Sequence, residues 1–296
     1  MKKTSVPLVI AFTPDYFIPA ATCLYSIITS MQAEGELHVI CLLSEELPER
    51  LKLKIQLIGE GRTCYSFVNL QGKLQHIYID QKYTEAASYR LLLPDLLPEY
   101  KKVIYIDCDI IVRNDLVQLY HSIDLGMNYL AAVFEASMDF QLDHLKTIGC
   151  NPNEYINSGF LIMNLELMRK DNMVEKFIEA SKVDYLEFPD QDVLNQLCKD
   201  RILALPPYYN SIRTFYLPQY KKFFLQKYTE QDWLEVHRHV QYIIPGQSLG
   251  INSRCNSSFG GNTMNNCRRL LKRSGRLIRR FISYLSFIEH LAGPLW

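Results

Sequence analysis

The chain has 296 residues, 48% of them hydrophobic, which is enough for one large packed domain or a domain with an appendage. Its 32 basic and 32 acidic residues balance, which excludes a surface built to coat nucleic acid. Eight cysteines stand without any C-x-x-C pair, which favours reduced thiols in the cytoplasm, and no run of uncharged apolar residues is long enough to predict a membrane-spanning helix.

Apolar runs alternate with amphipathic segments along the chain. The start, MKKTSVPLVIAF, places two lysines before an apolar run as a signal peptide does, but Pro14 and Asp15 follow too soon, which favours a first β-strand. The apolar runs predict strands at 8–12, 37–43, 103–106, 129–134 and 159–163. Helical spacing predicts helices within 18–28, 47–58, 168–181 and 192–198. This alternation indicates an α/β fold with a mostly parallel sheet, whose ligands gather at the carboxyl ends of its strands.

The predicted strand at 103–106 ends in two acids, Asp107 and Asp109. Side chains two apart on an extended segment face the same way, so both carboxylates can meet one ligand while Cys108 turns into the protein. Two like charges beside a buried segment need a compensating cation, and carboxylate oxygens select hard ions such as Mg²⁺ or Mn²⁺. Such an ion neutralises a diphosphate leaving group. The alternative is a turn in which these acids and Asn114 hydrogen-bond backbone groups.

Four blocks in order along residues 6–235 resemble a known family. They are VIAFTPDYFIPAATCLYSI, SYRLLLPDLLPEYKKVIYIDCDIIVRNDL, INSGFLIMNL and DQDVLNQL. Together they resemble the family 8 glycosyltransferases, retaining enzymes with the Rossmann-like GT-A fold, in which helices flank a mixed, mostly parallel sheet. The resemblance implies transfer of a hexose, glucose or galactose, from a UDP-sugar to a saccharide or glycolipid acceptor in lipopolysaccharide or polysaccharide biosynthesis.

The resemblance also implies site residues. Asp107 and Asp109 are the expected ligands of Mn²⁺ or Mg²⁺ against the UDP diphosphate. The expected nucleotide positions are Ala11, Thr13, Asp15, Tyr16, Arg90 and Cys108. Tyr16 is able to stack on uracil, whereas Thr13 departs from the acid often found there. The alternative for Arg90 is a surface helix arginine.

The resemblance implies a sugar pocket and catalytic group as well, formed by Asn157, Asp190, Gln191 and Asp192. Carboxylates and amides can divide a sugar's hydroxyls among themselves. Gln191 is the candidate for stabilising the positive charge that develops at the anomeric carbon as the diphosphate departs. The alternative for the block DQDVLNQL is an ordinary helix start with Asp190 as its N-cap.

The resemblance breaks after residue 236. The family has a late block resembling H-Y-x-G-x-x-K-P-W, whose histidine binds the metal and whose lysine meets the diphosphate, but residues 239–252 read HVQYIIPGQSLGIN. A shifted reading frame can be built from His239 onward by joining the third base of each codon to the first two bases of the next codon. The translations that the genetic code permits in this frame include R-P-V-H-Y-T-R-A-K-P-W. We therefore hypothesise a frame shift between about Trp233 and His239, which would impair activity. The alternative is simple divergence, and the DNA sequence across codons 230 to 270 would distinguish the two.

These features predict three parts: a GT-A catalytic domain at 1–236, a divergent segment at 237–266 and a basic tail at 267–296. The divergent segment is rich in Asn, Ser and Gly, which favours a loop or disorder. Apolar residues of the tail can share one helix face opposite its basic residues. Such a helix suits an anionic membrane surface, or it packs on the domain. We expect a cytoplasmic protein, peripheral at the inner face of the membrane if the tail binds lipid, with no nucleic-acid partner.

Two further functions fit parts of the sequence. A haloacid-dehalogenase-type phosphotransferase also has D-x-D after a strand, but Ile110 and Ile111 follow the acids where that class has Gly and Thr or Val. A non-catalytic sugar-nucleotide binder is favoured if the altered segment is real. Phosphorylation of Asp107 would indicate the phosphotransferase. Binding of UDP without turnover would indicate the sugar-nucleotide binder.

Overall fold

The computed structural model of the protein describes residues 5–32, 34–73 and 85–238. These residues form a seven-stranded sheet of β1 (Val6–Phe12), β2 (Leu37–Leu43), β3 (Thr63–Asn69), β4 (Lys102–Asp107), β5 (Leu130–Phe134), β6 (Ile156–Asn164) and β7 (Ile202–Ala204). The strand order is β3-β2-β1-β4-β6-β5-β7.

Helices connect the strands and cover the sheet. The α-helices of the described residues are α1 (Phe17–Ser30), α2 (Glu49–Gln56), α3 (Glu85–Ser88), α4 (Leu93–Leu96), α5 (Leu116–Ser122), α6 (Leu142–Thr147), α7 (Leu165–Lys170), α8 (Met173–Ala180), α9 (Pro189–Cys198), α10 (Arg213–Tyr216), α11 (Lys221–Lys227) and α12 (Glu230–Arg238). Short 3₁₀ helices lie at Pro14–Tyr16, Tyr89–Leu92, Asp139–Gln141, Pro207–Tyr209 and Pro218–Tyr220.

Most neighbouring strands of the sheet are parallel. β1 pairs in parallel with β2 and β4, β2 with β3, and β5 with β7, whereas β6 runs antiparallel to β4 and β5. The prediction of a mixed, mostly parallel α/β sheet flanked by helices is therefore confirmed. Because β6 is reversed, its first residues lie beside the carboxyl end of β4.

Each face of the sheet packs into its own apolar cluster. Leu8 and Ile10 of β1 belong to one cluster, and Val9 of the same strand belongs to the other, as the period of two of a strand requires. Both faces are covered, which is why the central strands appear in the sequence as nearly continuous apolar runs. The five predicted strands are all present.

The structure differs from the sequence prediction in two strands that were not predicted and in one predicted helix that is divided into two. β3 (Thr63–Asn69) is an edge strand with part-buried residues and a mixed sequence, and β7 (Ile202–Ala204) has three residues, so neither gives a clear apolar run. The helix expected within 168–181 is divided between α7 and α8. Asn172 separates them with φ of 51°, a left-handed conformation that asparagine tolerates better than most residues.

The described part of the chain ends with α12 (Glu230–Arg238). Trp233 and Val236 of this helix are buried in the core. Residues 239–296, with most of the divergent segment and the whole basic tail, lie outside the described residues, and both assignments stay predictions. Among the described helices, none combines the length and the apolar composition that crossing a membrane requires.

Candidate active site

The candidate site lies where β4 ends and β6 begins. Asp107 is the last residue of β4 and pairs with Ala11, which is buried near the end of β1. The reversed direction of β6 places Asn157 beside this point, and α9 contacts β6 with its first turn. Residues from all four of the blocks singled out in the sequence therefore meet at one edge of the sheet, as the carboxyl-end rule for α/β sheets predicts.

Arg90 is the buried cation of this edge. It lies on the 3₁₀ helix Tyr89–Leu92, its side chain is 3% exposed, and its Nη2 donates to Asp107 Oδ1 at 2.8 Å. Its Nε lies 3.0 Å from Asp190 Oδ2, and its Nη1 donates to the carbonyl of Ser158. The surface-arginine alternative is therefore wrong. Arg90 joins an acid of the expected metal site to an acid of the expected sugar pocket.

The acidic pair is only partly satisfied by the described residues. Asp107 Oδ1 accepts hydrogen bonds from Arg90 and, at 3.2 Å, from the hydroxyl of Tyr105, whereas Oδ2 accepts none from the described residues. Burial, and then the charge of Asp107, raises the pKa of Asp109, while a hydrogen bond from its own backbone N–H and the charge of Arg90 oppose the shift. The alternative to a metal site was a turn in which these acids and Asn114 hydrogen-bond backbone groups. The buried side-chain nitrogen of Asn114 has no hydrogen-bond partner among the described residues.

This donor set fits a hard divalent cation. Asp107 Oδ2 and the Asp109 carboxylate are neighbouring, partly desolvated anionic donors, and an ion of opposite charge would remove their mutual repulsion. No group of three or more potential metal-ligating His, Cys, Asp or Glu side chains occurs in residues 5–32, 34–73 and 85–238. Phosphate oxygens, water or residues beyond the described ranges would supply the other positions. Cys108, between the acids, is buried, and burial raises the pKa of its thiol.

The turn after β1 holds the other expected nucleotide residues. Thr13 precedes the 3₁₀ helix Pro14–Tyr16, Asp15 is exposed and Tyr16 is half-buried. Burial raises the pKa of Tyr16 to about 12, and the charges of Cys108 and Asp109 add to the effect. Tyr16 therefore interacts electrostatically with Asp109. Its place in the nucleotide site and its stacking on a base stay predictions.

Gln191 and Asn157 form a buried polar group with Glu135. Gln191 Oε1 accepts from Asn157 Nδ2 at 3.2 Å and from the backbone N–H of Ser158 at 3.0 Å. Glu135 Oε1 accepts from Asn157 Nδ2 at 3.0 Å and from Gln191 Nε2 at 3.3 Å. Burial raises the pKa of the Glu135 carboxyl, while these hydrogen bonds oppose the shift. Asn210 also belongs to the group, because its Nδ2 donates to Asn157 Oδ1 at 2.7 Å.

Sequence reasoning missed Glu135, Tyr105 and Asn210. Glu135 directly follows the predicted strand 129–134, just as Asp107 directly follows the strand 103–106. An acid at the end of a buried strand was therefore an available signal. Tyr105 sits in the apolar run of β4, and nothing in the sequence separates it from the core residues around it.

Asp190 faces the Arg90 side of the site. Helix α9 begins at Pro189 and its N-cap is Phe188, so Asp190 is not the N-cap that the alternative expected. Its Oδ2 pairs with Arg90 and accepts from Ser158 Oγ at 3.1 Å. Burial raises the pKa of this carboxyl, and the charge of Arg90 lowers it. Asp190 therefore lies between Arg90, which pairs with Asp107, and the polar group around Gln191.

Asp192 lies deeper, behind Gln191. It is fully buried, and its Oδ1 accepts from the hydroxyl of Tyr155. Its Oδ2 accepts from the backbone N–H groups of Glu187 at 3.0 Å and Phe188 at 3.1 Å, and it lies 2.9 Å from His144 Nε2. These contacts anchor the start of α9. The structure thus gives Asp192 no exposed oxygen, and its expected place in the sugar pocket stays a prediction.

The chain is similar to known proteins in both sequence and fold. The sequence profile of Glycosyl transferase family 8 matches residues 7–233. The chain is 27% identical to General stress protein A of Bacillus subtilis over 219 residues, which cover 71% of this chain and 76% of the relative. It is 30% identical to Lipopolysaccharide 1,2-glucosyltransferase of Escherichia coli over 148 residues, which cover 48% of this chain and 43% of that enzyme. The match therefore spans less than half of the E. coli protein.

A solved structure shares the fold. The crystal structure of galactosyltransferase LgtC in complex with donor and acceptor sugar analogues superposes with a TM-score of 0.64 at 21% identity, covering 88% of this chain and 95% of that one. At this identity the likeness shows the fold. The GT-A fold predicted from the sequence is confirmed by this neighbour.

Gly159 gives a test of the geometry around Asp107. A Cβ atom at this position would lie 2.9 Å from Asp107 Oδ2 and 3.0 Å from Asn157 Oδ1. We expect Gly159→Ala to displace the Asp107 carboxylate and to lower the free energy of unfolding by about 1–3 kcal/mol, because overpacking forces side chains from their positions. A crystal structure of the variant and denaturant unfolding measure both effects.

Gly61→Ala is the matched control for this prediction. A Cβ atom there meets nothing within 4 Å, but φ is 84°, so the variant should lose about 1 kcal/mol without moving Asp107. An unmoved Asp107 carboxylate in Gly159→Ala would contradict the close approach described above.

Proposed function

This chain belongs to glycosyl transferase family 8, and we propose that it transfers a hexose from a UDP-sugar to a saccharide or glycolipid acceptor with retention of anomeric configuration. The observation that supports this proposal is the meeting of two chemical features at one sheet edge. One is the under-satisfied acidic pair Asp107 and Asp109, and the other is the buried polar group around Gln191.

Members of this family generally use a divalent metal, and in this proposal Asp107 and Asp109 would hold Mn²⁺ or Mg²⁺, which neutralises the diphosphate leaving group. The small side chain of Ala11 leaves room for the nucleoside beside β1. Thr13 and Asp15 offer polar groups to the uridine, and Tyr16 offers a ring face on which uracil stacks.

The sugar would lie between Arg90 and Gln191. Asp190 and Asn157 present acceptor and donor atoms that divide the hydroxyls of a hexose. Gln191 Oε1 is held by two N–H donors, so its dipole is already oriented and needs no rearrangement when positive charge develops on the anomeric carbon. Asp192 supports Gln191 from behind by fixing the first turn of α9.

Relatives support the choice of sugar and acceptor. The E. coli relative is named a lipopolysaccharide 1,2-glucosyltransferase, and the fold neighbour is named a galactosyltransferase, which favours glucose or galactose as the sugar and a surface glycan as the acceptor. The six described cysteines are free, which supports a reducing, cytoplasmic location. Contact of the 267–296 tail with the inner face of the membrane is part of the same proposal.

A second candidate function is a sugar-nucleotide binder without turnover. It is favoured by residues 239–252, which have neither the late histidine-containing block nor its lysine. Without those groups the diphosphate loses one metal ligand and one cation, so we propose that turnover by this polypeptide is reduced. Binding of UDP without any turnover would support this second function.

The acidic pair gives the main test of the proposal. We expect Mn²⁺-dependent turnover of UDP-glucose or UDP-galactose, measured as released UDP, to fall about 100-fold in Asp107→Asn and in Asp109→Asn, because each change removes an anionic ligand. A chelator should abolish the activity of the wild-type protein. Asp184→Asn, an exposed aspartate in a loop, is the matched control and should keep full activity. Turnover that persists in the double variant with chelator would refute the proposal.

Gln191 gives an independent test. We expect Gln191→Ala to lower kcat about 100-fold with a much smaller change in KM, because the amide acts on charge that exists mainly in the transition state. Gln196→Ala is the matched control on the same helix. Its side chain donates to the carbonyl of Ile148 at 3.0 Å, away from Asn157 and Glu135. Equal kinetics of the two variants would remove Gln191 from the mechanism.

A further inference from the structure

Tyr105 is a buried tyrosine whose hydroxyl reaches the acidic pair. Its side chain is 1% exposed, and it stands two residues before Asp107 on the same face of β4. The hydroxyl donates to Asp107 Oδ1 at 3.2 Å. A buried phenol needs a hydrogen-bond partner, and this one has the carboxylate that is expected to hold the metal.

Two donors converge on the same oxygen of Asp107. Arg90 Nη2 donates to Oδ1 at 2.8 Å, beside the Tyr105 hydroxyl. Oδ2 receives no hydrogen bond from the described residues, and it faces Gly159, where a side chain would collide with it. The carboxylate is therefore held by one oxygen and presents the other.

Tyr105 also holds Arg90. The guanidinium carbon lies 4.4 Å from the centroid of the Tyr105 ring, and Nη1 is committed to the carbonyl of Ser158. Arginine and carboxylate groups tend to pair through two parallel hydrogen bonds, which would occupy both oxygens of Asp107. Arg90 Nε is also occupied, since it donates to the Ala87 carbonyl at 2.7 Å and lies 3.0 Å from Asp190 Oδ2. With the Tyr105 ring packed against the guanidinium, only Nη2 meets Asp107, at Oδ1. Oδ2 is thus left for a cation.

We propose that Tyr105 is a positioning residue that orients Asp107, so that Oδ2 alone meets the divalent ion and Arg90 does not compete for it. The inference rests on the proposed metal-dependent function and adds a residue to which the family resemblance gave no role. Outer contacts of this kind fix the orientation of a metal ligand, and their loss typically weakens metal binding 10–100-fold.

The test is the affinity of Tyr105→Phe for Mn²⁺ in the presence of UDP. The variant keeps the ring under Arg90 and removes only the hydroxyl. We expect the dissociation constant, measured from the electron paramagnetic resonance signal of free Mn²⁺, to rise about tenfold. The thermal unfolding temperature should change little, which separates positioning from a general loss of structure.

Tyr129→Phe is the matched control, because Tyr129 belongs to a similar trio elsewhere in the fold. Its hydroxyl donates to Asp171 Oδ2 at 2.6 Å, and the guanidinium of Arg201 lies 4.3 Å from its ring centroid. The variant loses the same type of hydrogen bond far from the acidic pair. Its affinity for Mn²⁺ should equal that of the wild-type protein.

The outcomes separate this inference from the proposed function. If Asp107→Asn abolishes Mn²⁺ binding and Tyr105→Phe leaves it unchanged, the role of Tyr105 is refuted and the metal-dependent function stands. If the wild-type protein with UDP binds no Mn²⁺, both are refuted. If Tyr105→Phe does not fold, a crystal structure of the wild-type protein with Mn²⁺ and UDP will show which oxygen of Asp107 binds the ion. An ion bound through Oδ1, or through both oxygens of Asp107, would overturn the inference.

Discussion

The buried guanidinium of Arg90 is the interaction on which the candidate site depends. It pairs with Asp107 at the end of β4 and with Asp190 on α9, so elements far apart in the sequence share one electrostatic centre. Removing one partner of such a buried pair typically costs about 3–5 kcal/mol, because the charge that remains is uncompensated. Asp109 adds a third carboxylate, and three acids around this guanidinium leave an excess of negative charge. A divalent cation at this edge would therefore offset negative charge that the described residues leave uncompensated.

The sequence predicted the parts of this arrangement that depend on local pattern. Apolar runs marked the five interior strands of the sheet, and the alternation with helices indicated which ends of the strands gather ligands. Side chains two apart on a strand face the same way, so the orientation of Asp107 and Asp109 followed from spacing. The choice between a metal site and a simple turn did not follow from spacing, and it required the resemblance of several blocks to one family.

The contacts between distant elements were not predictable in this way. The burial of Arg90 depends on Asp107, Asp190 and the Ser158 carbonyl, which approach it only in the folded chain. Glu135 was missed although it follows a strand as Asp107 does, because a single acid after a strand is more often exposed than paired. The strands β3 and β7 were missed because edge and very short strands lack a continuous apolar run.

The end of α12 bears on what an altered C-terminal segment can affect. The profile match reaches residue 233, and the described core includes Trp233 and Val236 of this helix. The acidic pair, Arg90 and the group around Gln191 are thus built entirely from residues before the proposed change of reading frame. A change that enters between Trp233 and His239 would leave these residues in place and would remove the histidine and the lysine that the family resemblance leads us to expect after them. The consequence expected on physical grounds is therefore a folded protein with weakened metal and diphosphate binding, not an unfolded one.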